Sequence, residues 1–244
     1  MENNEEWFQK VKENRDPTDI NNFIIHLSEE VKKEHLSYVK YLVENLSEKK
    51  LKKININLVF LIGELIKEGY GDEQLMDYLF NSYYKSDVWI RREILKSICK
   101  IGEAEGLSKI WRPLLQSALR ENDMEIRQTA IEAMTYLNIL TPKLFKSFLY
   151  AINQATQEET EQISDVLSQH IPTNDKLFAL LDKNQNYKVL DKKGIRTLLM
   201  TFFESVINLE PFRKKVEKAE WEKKGKQKVI NEIDVMEKIL LQNI

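Results

Sequence analysis

The sequence predicts an all-α fold, an α-solenoid of stacked helix pairs, and two observations carry that prediction. The 244 residues include only 7 Gly and 5 Pro, too few for the many tight turns that a chain of short strands would need. The chain also repeats itself. SDVWIRREILKSICKIG from Ser86 aligns with NDMEIRQTAIEAMTYLN from Asn122: Ile90 answers Ile126, Arg91 answers Arg127, Leu95 answers Ile131, Ile98 answers Met134 and Ile101 answers Leu137, at a constant step of 36 residues. One step back gives Ile54, Leu58, Val59, Ile62 and Leu65. One step forward gives Val166, Leu167 and His170, and a further step Phe202, Phe203 and Val206. A period of this length marks stacked supersecondary units.

Within each unit the apolar residues fall at i, i+4, i+5, i+8 and i+11, which at about 100° per residue is one stripe along a helix. Between the stripes lie second amphipathic segments, residues 72–84, 107–120, 142–153 and 174–183. Neither helix of such a pair buries its stripe alone, so the pairs must stack. Ahead of the array, residues 3–14, 17–27 and 31–46 read as helices. Asp16 before Pro17, and Thr141 before Pro142, place a capping side chain ahead of a proline at the first helical position. Asn122 with Glu125 reads as a capping box, and Gly69, Gly71 and Gly102 as helix stops. The array is expected over residues 1–210. After Pro211 a charged cap or extension, 211–244, keeps Trp221, Val229, Ile233, Met236, Ile239 and Leu240 as its apolar minority and reads as two helices broken near Gly225.

The segments Asp87–Gly102 and Asp123–Leu137, each with Asp-x-x-x-Arg opening an apolar helix (Asp87 with Arg91, Asp123 with Arg127), resemble the second helices of HEAT repeats, in the armadillo-type class. The resemblance is clear over residues 51–170. It implies a right-handed superhelix of about six helix pairs, an Asp and Arg ladder between adjacent units, and second helices that line the binding surface. The family serves many functions, so the resemblance implies fold rather than activity.

Composition excludes several classes. A formal net charge of -2 supplies no whole-molecule field toward nucleic acid or acidic membranes. Cys99 is the only cysteine, so no internal disulfide forms. No apolar run reaches the length of a membrane span, and the acidic opening MENNEEWFQK is unlike a signal peptide. A cytoplasmic address is expected.

No catalytic motif is present. His26, His35 and His170 fall in no metal-ligand spacing, and the His-Glu pairs of di-iron HEAT-like hydroxylases are absent. His170 takes a slot filled by Ile98 and Met134, as a packed or helix-end histidine would. Cys99 lies inside a helix and reads as a buried, inert thiol. Phosphate-cradling glycine loops and nucleophile elbows are missing. SDVWIRREIL also resembles alkylpurine DNA glycosylases, which are HEAT-like. Arg92 would match their DNA-contacting arginine, but Lys53, Asn57 and Ala133 stand where that family needs its tryptophans and catalytic aspartate. No enzyme, cofactor, metal or small-molecule substrate is expected.

The outer face of the second helices is more informative. Trp89, Arg92 and Lys96 are neighbours on one helical face, and Lys53, Ile56 and Phe60 hold the same slots one repeat earlier. Later repeats hold Glu125, Gln128 and Glu132, then Glu161, Ser164 and Ser168. The expected function is a non-catalytic scaffold whose second-helix ridge receives a helix or extended peptide bearing acidic and apolar residues. Against this stands a plainer alternative, in which Trp89 folds over a neighbouring helix while Ile56 and Phe60 pack under the N-terminal cap. A second functional reading is a nucleic-acid-binding HEAT protein. Residues 213–228 carry eight Lys and Arg against three Glu, with Arg213, Lys214, Lys215 and Lys218 as candidate contacts to phosphate or an acidic surface, and Lys49–Lys53 add a basic turn. A third is a tubulin-binding TOG-like domain, similar in length and repeat number, with Trp89 near a turn within a helix pair.

Overall fold

The computed structural model describes residues 3–105 and 111–242, the first of these segments with side chains to residue 101. Every regular element among them is helical: α1 (Asn4–Asn14), α2 (Pro17–Glu29), α3 (His35–Asn45), α4 (Glu48–Lys67), α5 (Glu73–Tyr83), α6 (Val88–Glu105), α7 (Trp111–Ala118), α8 (Met124–Tyr136), α9 (Pro142–Gln154), α10 (Thr160–His170), α11 (Asn174–Asp182), α12 (Lys192–Phe202), α13 (Val206–Lys218) and α14 (Lys223–Gln242), with a short 3-10 helix at Lys183–Lys188. The chain divides into two compact units, Met1–Leu114 and Leu115–Ile244.

In the first unit α2, α4 and α6 lie side by side, and α1, α3 and α5 pack on them in turn. The stripe residues Ile54, Leu58, Val59, Ile62 and Leu65 of α4, and Ile90, Leu95, Ile98 and Ile101 of α6, are buried. Burial of this kind contributes roughly 1.5–3 kcal/mol per large apolar side chain. The helices approach closely at Gly63, where a Cβ would stand 2.5 Å from Ser97 Oγ. Capping follows the sequence at Asp16, whose Oδ1 accepts from Thr18 N at 2.8 Å. Gly69, at φ 75°, ends α4 while Tyr70 N bonds back to Leu65 O. Two expectations are corrected. The helix expected from residue 31 begins at His35, and Gly102 lies inside α6, since one helical glycine costs only about 1 kcal/mol relative to alanine.

In the second unit α8, α10, α12 and α14 follow one another side by side. Ile126, Ala130, Ile131 and Met134 of α8 and Ile163, Val166 and Leu167 of α10 face the core. The cap of α8 is Asp123, which accepts from Ile126 N at 3.0 Å, not Asn122. The aspartates of the Asp-x-x-x-Arg motif thus close helix starts, and Arg127 takes its carboxylate from Glu159, with Nε–Oε1 and Nη2–Oε2 both at 3.1 Å. The step of 36 fails after α10. There α11 is only nine residues long, and the residues answering Ile163, Val166 and Leu167 are Ile195, Leu198 and Leu199, 32 further on. Phe203 leaves α12 in extended backbone, and Val206 opens α13.

The C-terminal segment docks on the second unit. Pro211 is inside α13, and the helix break falls at residues 219–222 rather than at Gly225, which belongs to the first turn of α14. A Cβ on Gly225 would stand 2.6 Å from the Tyr187 ring. Trp221 stacks between Tyr187 (centroids 4.2 Å) and Phe178 (5.6 Å), and its Nε1 donates to Asp182 at 2.8 Å.

Candidate partner-binding face

The candidate residues Lys53, Ile56 and Phe60 lie on α4, and Trp89, Arg92 and Lys96 on α6, so one unit holds all six. Asp87 fixes where α6 begins by accepting from Ile90 N at 3.1 Å, which leaves Trp89 in the first turn. Helical side chains lean toward the N-terminus and cover the preceding turn. Trp89 has no preceding turn to cover, and the residue is 65% exposed. The guanidinium of Arg92 lies 5.6 Å from that ring, within cation–π range.

On α4, Ile56 is 45% exposed and Lys53 is exposed, while Phe60 is half-buried. Lys100 reaches back from α6 to sit 4.3 Å over the Phe60 ring and pairs with Glu64. The outer faces of α4 and α6 therefore border each other. The charge of Lys53 is also felt at Asp16, whose carboxyl is held below its ordinary range first by the Thr18 backbone N–H and in small part by this lysine. The alternative in which Trp89 folds over a neighbouring helix and Ile56 is covered does not hold; of the three, only Phe60 is substantially covered.

The structure adds Ile25, 45% exposed on α2, which the repeat pattern missed because α2 lies outside the clear step of 36. Asn57 of α4 donates to Asn21 of α2 at 2.9 Å, which fixes how the two helices meet and leaves Ile25 outward. Single exposed apolar residues are ordinary; here three neighbouring helices each present one, Ile25, Ile56 and Trp89. The later slots belong to the second unit, where Glu132, Glu161 and Ser168 are exposed and Glu125, Gln128 and Ser164 half-buried.

The basic cluster of the C-terminal segment is drawn into its own unit. Arg213 bonds Glu217 at 3.1 Å, Asp234 at 2.8 Å and Glu237 at 2.8 Å, and these carboxylates, Glu237 foremost, raise its already high pKa. Lys214 pairs with Glu210 at 3.4 Å and Lys215 with Asp175 at 3.1 Å; Lys226 and Lys228 bond backbone carbonyls. Lys218 is exposed. A phosphate would compete with carboxylates already in place at Arg213.

A cleft of about 520 Å³ opens in the first unit, lined by Asn55 and Tyr78 together with Glu48, Lys52, Asp77, Lys85 and Asp87. Tyr78 donates to Asn55 Oδ1 at 3.0 Å, and burial pushes its pKa up to about 12. It is therefore a neutral hydrogen-bonding group at physiological pH. Cys99 is half-buried rather than buried, with Sγ donating to Leu95 O at 3.3 Å. His170 ends α10, and burial holds its imidazole below the ordinary range. Among the described residues no three His, Cys, Asp or Glu side chains converge as metal ligands would, and no helix is long and apolar enough to cross a membrane.

No protein-family model, curated protein or solved structure matches the chain. The functional reading rests on the residues and their geometry.

Proposed function

We propose that this chain is a non-catalytic scaffold, a HEAT-like α-solenoid that captures a protein partner on the outer face of α4 and α6. The observation that carries the reading is Trp89, 65% exposed with the Arg92 guanidinium against its ring, on a face that also presents Ile56. Trp and Arg are the residues that most often dominate binding energy at interfaces. Lys53, Arg92 and Lys96 give this face a positive character, so the fitting partner offers acidic and apolar side chains as a helix or an extended peptide. No cofactor is invoked, and a cytoplasmic address is part of the reading.

The nucleic-acid reading draws less support, because Arg213, Lys214 and Lys215 already have carboxylate partners. The tubulin-binding reading uses the same Trp89, in the first turn after the α5–α6 connection, and is a special case of an acidic protein partner.

Affinity capture from lysate with the wild-type chain beside a Trp89→Ala, Arg92→Glu double variant, with and without nuclease, separates these readings. The scaffold reading expects discrete proteins lost with the variant and retained after nuclease. Recovery that depends on nucleic acid and ignores the variant overturns it.

A further inference from the structure

We infer that the partner segment is an acidic amphipathic helix that crosses α2, α4 and α6 with apolar residues at heptad spacing. This rests on the proposed binding face and narrows what occupies it.

Three large apolar side chains stand out from consecutive, laterally packed helices: Ile25 on α2, Ile56 on α4 and Trp89 on α6, at 45%, 45% and 65% exposure. The Asn57–Asn21 bond and the reach of Lys100 over Phe60 to Glu64 show that the outer faces of the three helices adjoin. Each helix of the row therefore offers one anchor.

The spacing of the anchors selects the ligand's backbone. Axes of packed helices lie about 8–10 Å apart, so the lateral step from one anchor to the next is about that interval. A helix advances about 1.5 Å per residue, so positions seven apart are about 10.5 Å apart and return to nearly the same face. A strand repeats one face about every 6.6–6.8 Å. Its side chains would meet the row at about 7 or 13–14 Å and miss the interval. The crossing helix fits where the strand does not.

Charge selects its flanks. Lys49, Lys52 and Lys53 on α4 and Lys96 on α6 are exposed beside the anchors, with Arg92 at Trp89. Among the described side chains, the acidic ones on these helices are Asp19 and Glu29 of α2 and Glu48 at the start of α4, all exposed, and Glu64 of α4 and Glu93 of α6, both half-buried, with Glu64 already paired to Lys100. Carboxylates on both edges of the apolar stripe would meet the lysines and gain association rate as well as specificity.

The test uses the full chain and two labelled synthetic peptides of equal length, leucine number and net charge. One has leucines seven residues apart in a glutamate-rich helical background. The other has the same leucines two residues apart, with its prolines placed to hold it extended. Fluorescence anisotropy reads affinity, and circular dichroism reads helix gained on binding. The expected result is saturable binding of the helical peptide, about ten-fold or more weaker with Ile56→Glu and with Trp89→Ala, and weaker still for the extended peptide. Both substituted side chains are exposed, and unchanged thermal midpoints would verify the folds. Equal or tighter binding of the extended peptide, still sensitive to Trp89→Ala, overturns the helix and leaves the face standing. Binding of neither peptide, or binding indifferent to both variants, also overturns the helix; the face is then judged by the capture experiment alone.

Discussion

Arg127 grips Glu159 through two parallel hydrogen bonds of 3.1 Å, with the two side chains 3% and 0% exposed. The remaining guanidinium nitrogen, Nη1, donates to Glu121 O and Asn122 O, each at 2.9 Å, and Glu159 Oε2 also accepts from Thr156 N at 2.8 Å. One buried pair thus ties the turn before α8 to the start of α10. Removing one partner leaves an uncompensated buried charge, so Arg127→Met is expected to cost about 3–5 kcal/mol. A double Arg127→Met, Glu159→Leu variant recovers much of that loss. Urea unfolding of the three chains measures both.

Gly63 permits the contact of α4 with α6. Alanine there would press on Ser97 Oγ at 2.5 Å and Cβ at 2.7 Å, an overpacking expected to cost about 1–3 kcal/mol. Adding Ser97→Gly removes the clashing atoms, and the thermal midpoint is expected to rise again from that of Gly63→Ala alone.

Two tryptophans should behave oppositely. Trp89 is 65% exposed and Trp221 6% exposed. Trp89→Ala is expected to change stability by less than about 0.5 kcal/mol. Trp221→Ala, which empties the stack between Tyr187 and Phe178, is expected to cost about 3–5 kcal/mol and to raise amide exchange along α14.

Acid should weaken the fold through His35. Burial is the main cause holding its imidazole below the ordinary 6.5, so the folded chain keeps it neutral where the unfolded chain would protonate it. The stabilisation from the neutral ring is complete above about pH 6.5 and is lost as pH falls below that value. Glu34, Lys32 and His26 are the titratable neighbours that act on it, and Asn4 contacts both His26 and His35. His170 shifts in the same direction, whereas Asp16 and Asp72, held below the ordinary carboxylate value, act only at lower pH. The thermal midpoint is expected to drop between pH 7.5 and 5.5, and His35→Gln to reduce that drop.

The sequence made the helices legible because burial imposes a period. Ile54, Leu58, Val59 and Ile62 repeat as Ile90, Ile94, Leu95 and Ile98, and the structure buries all of them. Local chemistry made Asp16 and Thr141 legible as caps. What escaped depends on neighbours. The four-residue shortening before α12 follows from a short α11 and the left-handed turn at Asn184 and Gln185, φ 55° and 56°, which no stripe encodes. The docking of the tail depends on Trp221 meeting Tyr187, 34 residues away in sequence. At the candidate face, spacing placed Trp89, Arg92 and Lys96 together. It did not show that Phe60 is half-covered by Lys100, nor that Ile25 joins the exposed row.

The most direct measurement is the Kd of a captured partner for three purified chains: wild type, Trp89→Ala and Lys218→Glu. Binding on the α4 and α6 face predicts a loss of about ten-fold or more with Trp89→Ala and a change within about two-fold with Lys218→Glu. The reverse pattern, loss with Lys218→Glu and none with Trp89→Ala, would contradict the account and move the site to the C-terminal segment.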